Sequence, residues 1–269
     1  MKNINTCLLF LGTLFFGFSC TDATEGTGMA LINLRLIDAP GDFDEAWIEI
    51  KGVEVMQSKE RQGSDAQWFY IPYDQPNQQV DVSKLVGEGV LLLGRDEIPA
   101  GGIFKIKLLL GEEHHLKKAG KVRALTLESP EASVIEMDVN YRLDRNLSYD
   151  IYLDFDLERS IQATADTTQF LLDPKIRSFV KEDRSEIKGK IQPSAAKPVI
   201  YAIQGKDTVT TLTDAQGNYS LRGLGEGTHS LHILSRKPYA DSLFSAVAKK
   251  GEANQIENIV LKLAPTNPQ

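Results

Sequence analysis

The sequence predicts an all-β protein built as two β-sandwich domains. Three observations lead there. Apolar residues recur with a period of two, as in Ile32-Asn33-Leu34-Arg35-Leu36 and across Tyr149 to Glu158, which puts alternate side chains on opposite faces of a strand. Turn residues (Gly, Pro, Asp, Asn) break these runs at short, regular intervals. No amphipathic segment of helix length stands out in either half.

Along the chain, Met1–Thr6 carries Lys2, and an apolar run follows from Cys7 to Phe18. At about 12 residues the run is too short to span a bilayer as a helix, and it suits the apolar region of a signal peptide. Gly17-Phe18-Ser19-Cys20 then gives way to polar Thr21-Asp22-Ala23-Thr24. This layout resembles a lipoprotein signal of the Bacteroidetes type, with Gly17 where the usual box has Leu. The resemblance implies a signal peptide over 1–19 and a lipid on the Cys20 thiol. Cleavage after Ser19 by the ordinary signal peptidase is the alternative. Residues 20–28 then form a lipidated cysteine and a flexible tether. Cys7 leaves with the signal and Cys20 is used by lipid, so the mature chain has no thiol left for a disulfide or a metal site.

Past the tether, Asp38-Ala39-Pro40-Gly41-Asp42 reads as a turn after the first strand. Ile48 and Ile50 differ in parity from Val53 and Val55, and one extra residue at Gly52, a β-bulge, puts all four on one face. Trp68 to Pro72 is a strand stopped by proline, Asp81 to Leu85 a helical turn, and Gly87, Gly89 and Gly94 are expected to keep anything there short. Phe104, Ile106, Leu108 and Leu110 share one face of the next strand, and Val122 to Leu127 is another. Tyr149 to Glu158 alternates most cleanly, with Asp150, Asp154, Asp156 and Glu158 outward; 170–172 and 176–180 finish this block. Charged residues 181–186 mark a domain boundary, giving domains over 29–183 and 184–269. The second contains seven expected strands: 187–191, 198–203, 207–213, 218–221, 228–234, 243–248 and 256–263.

Two resemblances follow from particular segments. Leu36–Asp42, Ala46–Ile50 with Gly52–Val55, Glu97–Gly101 with Ile106–Leu108, Leu153–Ile161 and Leu171–Arg177 stand in an order and spacing that resemble the domain-of-unknown-function 4382 family (DUF4382) of bacterial secreted proteins. That resemblance covers 29–180 and implies a β-rich envelope domain with no assigned reaction; the longer Ser58–Asp65 segment extends a hairpin. Thr213–Leu221 and Leu224–Leu231 resemble the carboxypeptidase regulatory-like family. This implies a transthyretin-like or Ig-like sandwich, with Tyr219 in its core and no catalytic residues carried across.

Candidate chemistry is sparse. Asp154, Asp156 and Glu158 fall about 7 Å apart on one strand face, a spacing open to Ca²⁺ or to paired-carboxylate hydrolysis. A solvated face neutralised across the sheet by Lys105 and Lys107 is the simpler reading. Asp38, Asp42 and Asp44 with Glu45 form a second acidic loop and calcium candidate; side-chain bonds to the local backbone are the alternative. His114-His115 point opposite ways and read as a loop tip, and His229 and His232 read as structural. Trp47, Trp68, Phe69, Tyr70 and Tyr73 are the aromatic candidates for sugar stacking, with Trp68 and Tyr70 foremost. No serine-nucleophile or nucleotide-loop signature occurs. Net charge −7 and pI near 5.2, with no basic tract, argue against a nucleic-acid partner. No metal and no cofactor is expected.

The expectation is a non-enzymatic cell-envelope lipoprotein. Its partners are the membrane, through the lipid, and an envelope protein or glycan, and its place is the outer membrane on the periplasmic or surface face. A carbohydrate-binding accessory lipoprotein is the alternative, and a hydrolase using Asp154 and Asp156 the third reading.

Overall fold

A computed structural model describes residues 28–39, 41, 43–61, 63–165 and 169–265. The predicted signal, Cys20, the tether and Asp42 lie outside the described residues. Among the described residues the architecture is all-β, with two large hydrophobic cores and a small third cluster of Ile37, Tyr152 and Phe179. No described helix is long and apolar enough to cross a membrane.

The first lobe contains β1 (Met29–Ala39), β2 (Glu45–Ser58), β3 (Gln67–Pro72), β4 (Gln79–Asp81), β5 (Leu91–Pro99), β6 (Gly101–Leu110), β7 (His115–Lys118), β8 (Lys121–Leu127), β9 (Val134–Leu143), β10 (Ser148–Asp156), the single helical turn α1 (Leu157–Ser160), β11 (Ile161–Ala163), β12 (Phe170–Leu172) and β13 (Ile176–Val180). One sheet has the order β13-β10-β1-β5, with β1 and β10 parallel. The facing sheet runs β11-β12-β8-β7-β2-β6-β9, with β3 and β4 also paired to β2. Their inner faces enclose one core.

The long strand β2 shows how the sequence sets this geometry. Register shifts between Ile50 and Gly52, and Ile48, Ile50, Val53 and Val55 are all fully buried, as the bulge requires. A side chain at Gly52 would place its Cβ 2.6 Å from the Ile71 carbonyl oxygen, so the bulge depends on glycine. A second bulge, in which Phe104 is the extra β6 residue against Met56 and Gln57 of β2, has the opposite consequence. Ile103 takes the core position, and Phe104 turns out of the main core beneath the Arg61 guanidinium, 5.8 Å from its ring centre. The expected common face of Phe104 with Ile106 therefore fails by one residue.

Two other expectations change. The glycines do not keep 87–94 short: β5 runs for nine residues through Gly94, whose missing side chain makes room for Ile71. Strand β9 was not among the expected strands, although Ile135, Met137, Val139, Tyr141 and Leu143 alternate inward with Glu136, Asp138, Asn140 and Arg142 outward.

The second lobe holds β14 (Ser185–Gln192), β15 (Val199–Gln204), β16 (Asp207–Leu212), β17 (Asn218–Leu224), β18 (Gly227–Leu234), β19 (Ser242–Ala248), β20 (Ala253–Gln255) and β21 (Ile259–Val260). Within the expected strand over 256–263 the chain forms one two-residue strand, β21, and β20 lies just before those bounds; each pairs β14 in parallel. One sheet is β17-β14-β20 with β21 also on β14, and the other is β16-β15-β18-β19. The Asp214 turn is built by its own carboxylate, which accepts from the amides of Gln216 and Asn218 at 2.8 Å. Gly217 takes positive φ there, and Tyr219 follows with its ring buried against Gly189.

Candidate functional site

The structure breaks up the acidic row that the strand pattern grouped: Glu158 leaves it, while Asp154 and Asp156 still line one cavity of about 390 Å³ with Arg177, and burial raises the Asp156 pKa. Strand β10 stops at Asp156, whose carboxylate accepts from the Arg159 amide at 3.0 Å and caps α1. Glu158 lies on that helical turn and not on the strand. Asp154 is buried, where a solvated face was expected. Its partner is Arg177 on β13, with Nη2 at 2.6 Å and Nε at 2.7 Å from the same oxygen. Lys105 and Lys107 belong to the other sheet. Lys105 pairs with Glu136, and Lys107 lies 3.7 Å from both Glu54 and Glu136.

Asp154 is buried because the second lobe sits on the outer face of the first lobe's four-stranded sheet. Tyr152 and Phe179 stack on that face with ring centres 5.2 Å apart, and Phe179 lies against Gly223. Arg177 donates to the Arg222 carbonyl at 3.1 Å. Arg222 crosses back, donating to the Gly87 carbonyl at 2.6 Å and pairing with Glu186 at 3.0 Å. Lys188 reaches Glu88 at 3.1 Å. These bonds join a span with 18 Lys and Arg against 28 Asp and Glu (29–183) to one with 11 against 7 (184–269).

Arg177, Arg222, Glu186 and Glu88 were not singled out in the sequence. The signal that finds them is a charged residue inside an otherwise apolar strand, Arg222 between Leu221 and Gly223-Leu224 above all.

Asp38 is buried with neither carboxylate oxygen in a well-formed hydrogen bond; the Leu157 amide opposes its protonation only in part. Burial first, then the neighbouring Asp154 charge, push its pKa well above the ordinary carboxylate range. Asp44 bonds a distant backbone, accepting from the Gly120 amide at 2.8 Å, and not the local turn. Among the described residues no group of three or more His, Cys, Asp or Glu side chains is placed to hold a metal ion.

The histidines are anchored. His114 is buried and not an exposed loop tip; its Nδ1 accepts from the Glu49 amide at 3.1 Å, and burial lowers its pKa. His115 stacks on Trp47. His229 is buried with Nε2 2.8 Å from the Gly225 carbonyl, and His232 lies on the opposite face.

The aromatic candidates divide cleanly. Tyr73 is in the core and Phe69 packs against it. Trp47 is half-buried and donates to Glu45. Trp68 and Tyr70 are 42% and 52% exposed, side by side on β3. They stand on the open face of the larger sheet, where the Lys107 ammonium lies 4.0 Å from the Trp68 ring centre. The Tyr70 hydroxyl donates to the Lys51 carbonyl at 3.1 Å. Register places Glu54 beside Tyr70 and Lys107 beside Glu54, so the aromatic pair borders a polar ladder. The Lys105 hydrogen bond is the main cause holding the Glu136 carboxyl below its usual pKa.

The fold and these faces define an all-β protein with a sandwich core and a solvent-open sheet face. The chain belongs to the family described as Domain of unknown function (DUF4382), which it matches over residues 29–174. No curated protein matches it. Among solved structures it is similar to GBS52, the minor pilin of Streptococcus agalactiae, at 14% identity and TM-score 0.27, covering 88% of this chain and 98% of that one. It is similar to the shaft pilin SpaA from Lactobacillus rhamnosus GG at 8% identity and TM-score 0.28, covering 90% and 100%. A chain of a type II cohesin–X-dockerin complex from Acetivibrio cellulolyticus matches at 14% identity and TM-score 0.24 over 29% of this chain, which spans 58% of that chain's length.

Proposed function

We propose that this chain is a non-enzymatic cell-envelope lipoprotein, anchored by a lipid on Cys20, with a structural, adhesion or assembly role. The reading places it at the outer membrane, with two sandwich domains over 29–183 and 184–269, the second of the carboxypeptidase regulatory-like kind. The observation that carries the non-enzymatic part is the fate of the carboxylates. Asp154 is neutralised by Arg177 under the second lobe, and Asp156 caps a helical turn. Paired-carboxylate hydrolysis needs one ionised and one protonated carboxyl free to act on a substrate; both line one cavity, but each is already engaged by the chain itself, Asp154 by the Arg177 guanidinium and Asp156 by the Arg159 amide. A Cys20→Ala variant released from membranes supports the anchor, and unchanged membrane partitioning removes it. Screening the protein against glycans, host matrix proteins and envelope extracts tests adhesion; a flat result across all three defeats it.

One observation favours a second reading, carbohydrate binding. Trp68 and Tyr70 are exposed together beside the Glu54–Lys107 ladder, and a planar aromatic pair next to charged hydrogen-bonding groups suits a sugar ring. On this reading Trp68→Ala abolishes binding to a glycan retained by the unaltered chain. A retained glycan that ignores both Trp68→Ala and Tyr70→Ala is bound elsewhere.

A further inference from the structure

The second lobe leaves one sheet edge open. In the order β16-β15-β18-β19, β16 lies against the first lobe, while β19 pairs only with β18 among the described residues. An unpaired edge presents free N–H and C=O groups to any extended strand, and proteins usually guard such edges with charge or proline. Strand β5, an edge of the first lobe, carries Arg95, Asp96 and Glu97, and the edge strand β9 carries Glu136, Asp138 and Arg142. Strand β19 reads Ser-Leu-Phe-Ser-Ala-Val-Ala and has no such guard.

Its surroundings are apolar as well. Leu243, Phe244 and Val247 are exposed, and Leu234, Val260 and Leu263 are exposed in the same lobe, six of the thirteen large apolar side chains open to solvent among the described residues. Phe244 opens onto a groove of about 550 Å³ between β19 and residues 256–262.

The pattern of β19 selects its occupant. Its odd residues, with Ser245 at the centre, point away from the core together with Thr228, Ser230 and His232 of β18. An antiparallel copy centred on Ser245 sets Leu243 against Val247 and Ser245 against Ser245. One step beyond each strand end, on the same face, it sets Asp241 against Lys249. On the core side it sets Phe244 against Ala246. No like charges meet, and two opposite-charge pairs close the ends of an uncharged row. A single strand seldom carries this self-complementarity, and it is what a two-fold, isologous contact requires.

We propose that β19 is the dimerisation strand of this protein, pairing antiparallel with β19 of a second copy about Ser245 to form one continuous eight-stranded sheet. The contact does not depend on the lipid or on the glycan reading.

Sedimentation velocity on the full chain in detergent, across a concentration series, tests it. The expected result is a monomer–dimer equilibrium. Val247→Lys, which places lysine against Leu243 twice over, weakens association about tenfold or more. Lys249→Asp faces each Asp241 with a like charge and weakens it about threefold, and adding Asp241→Lys in the same chain restores it. Because Asp241 also accepts from the Ser235 amide, thermal melts of every variant check that the fold is retained. A monomer at all concentrations overturns the proposal. So does a dimer indifferent to Val247→Lys, or a charge swap that leaves folded chains unable to pair.

Discussion

The first lobe has two outer sheet faces, and they meet opposite fates. Both are written in the same alphabet: strands that alternate apolar residues inward with charged or aromatic residues outward. On the β13-β10-β1-β5 sheet the outward residues Tyr152 and Asp154 are buried under the second lobe. On the larger sheet, Lys105, Lys107, Glu136, Trp68 and Tyr70 stay in solvent or at its edge. An ion pair costs desolvation in the first setting and almost nothing in the second. The buried one must therefore be geometrically complete, with Arg177 bonding both Asp154 and the Arg222 carbonyl, while the exposed ladder tolerates loose distances.

The largest expected effect tests the buried face. Asp154→Ala leaves Arg177 facing the second lobe without its partner. Because Arg177 is 40% exposed, the loss falls below that of a fully buried pair, at about 2–3 kcal/mol by chemical denaturation. A loss no larger than that of an exposed pair erases the distinction between the faces.

Gly223→Ala comes next. Gly223 has φ +74°, and an added Cβ lies 2.6 Å from the Phe179 ring. Left-handed strain alone costs about 1–2 kcal/mol, and the ring must also shift. Lowered thermal stability with a loosened junction, read as hydrogen exchange at the amides of β13, is the expected outcome.

Asp38→Asn has the opposite sign and an effect of about 1 kcal/mol or more at neutral pH, removing a buried carboxyl that lacks a good partner. Its folded pKa lies above its unfolded one. The stability it contributes is complete below the unfolded pKa and is lost as pH rises through the folded value. The advantage of Asp38→Asn should therefore be greatest at neutral pH and shrink as pH falls towards the ordinary Asp range. An advantage independent of pH contradicts the raised pKa.

On the open face, Glu136→Gln should change stability by less than about 0.5 kcal/mol, with the difference vanishing in high salt. A loss matching Asp154→Ala would mean that this face too is covered by something.

Much of the fold was legible in the chain. The parity change around Gly52 identified a bulge, and the turn residues of Asp214–Asn218 marked a hairpin that the structure contains. Strand β9 was equally legible from its alternation. Other features were not. The Phe104 displacement hangs on a bulge whose glycine, Gly102 under the Phe104 ring, reads in the sequence as part of the preceding turn. The burial of Asp154 depends on a lobe that begins some thirty residues later in the chain.

The sequence by itself determined which residues alternate, where the chain turns, and so that the protein is all-β, because strand periodicity and turn chemistry are local properties. Only the tertiary structure decided which outward face became an interface, which charges lost their water and which edge stayed open. Those outcomes depend on contacts between strands distant in the chain, where a polar residue reads the same whether solvent or another lobe lies above it.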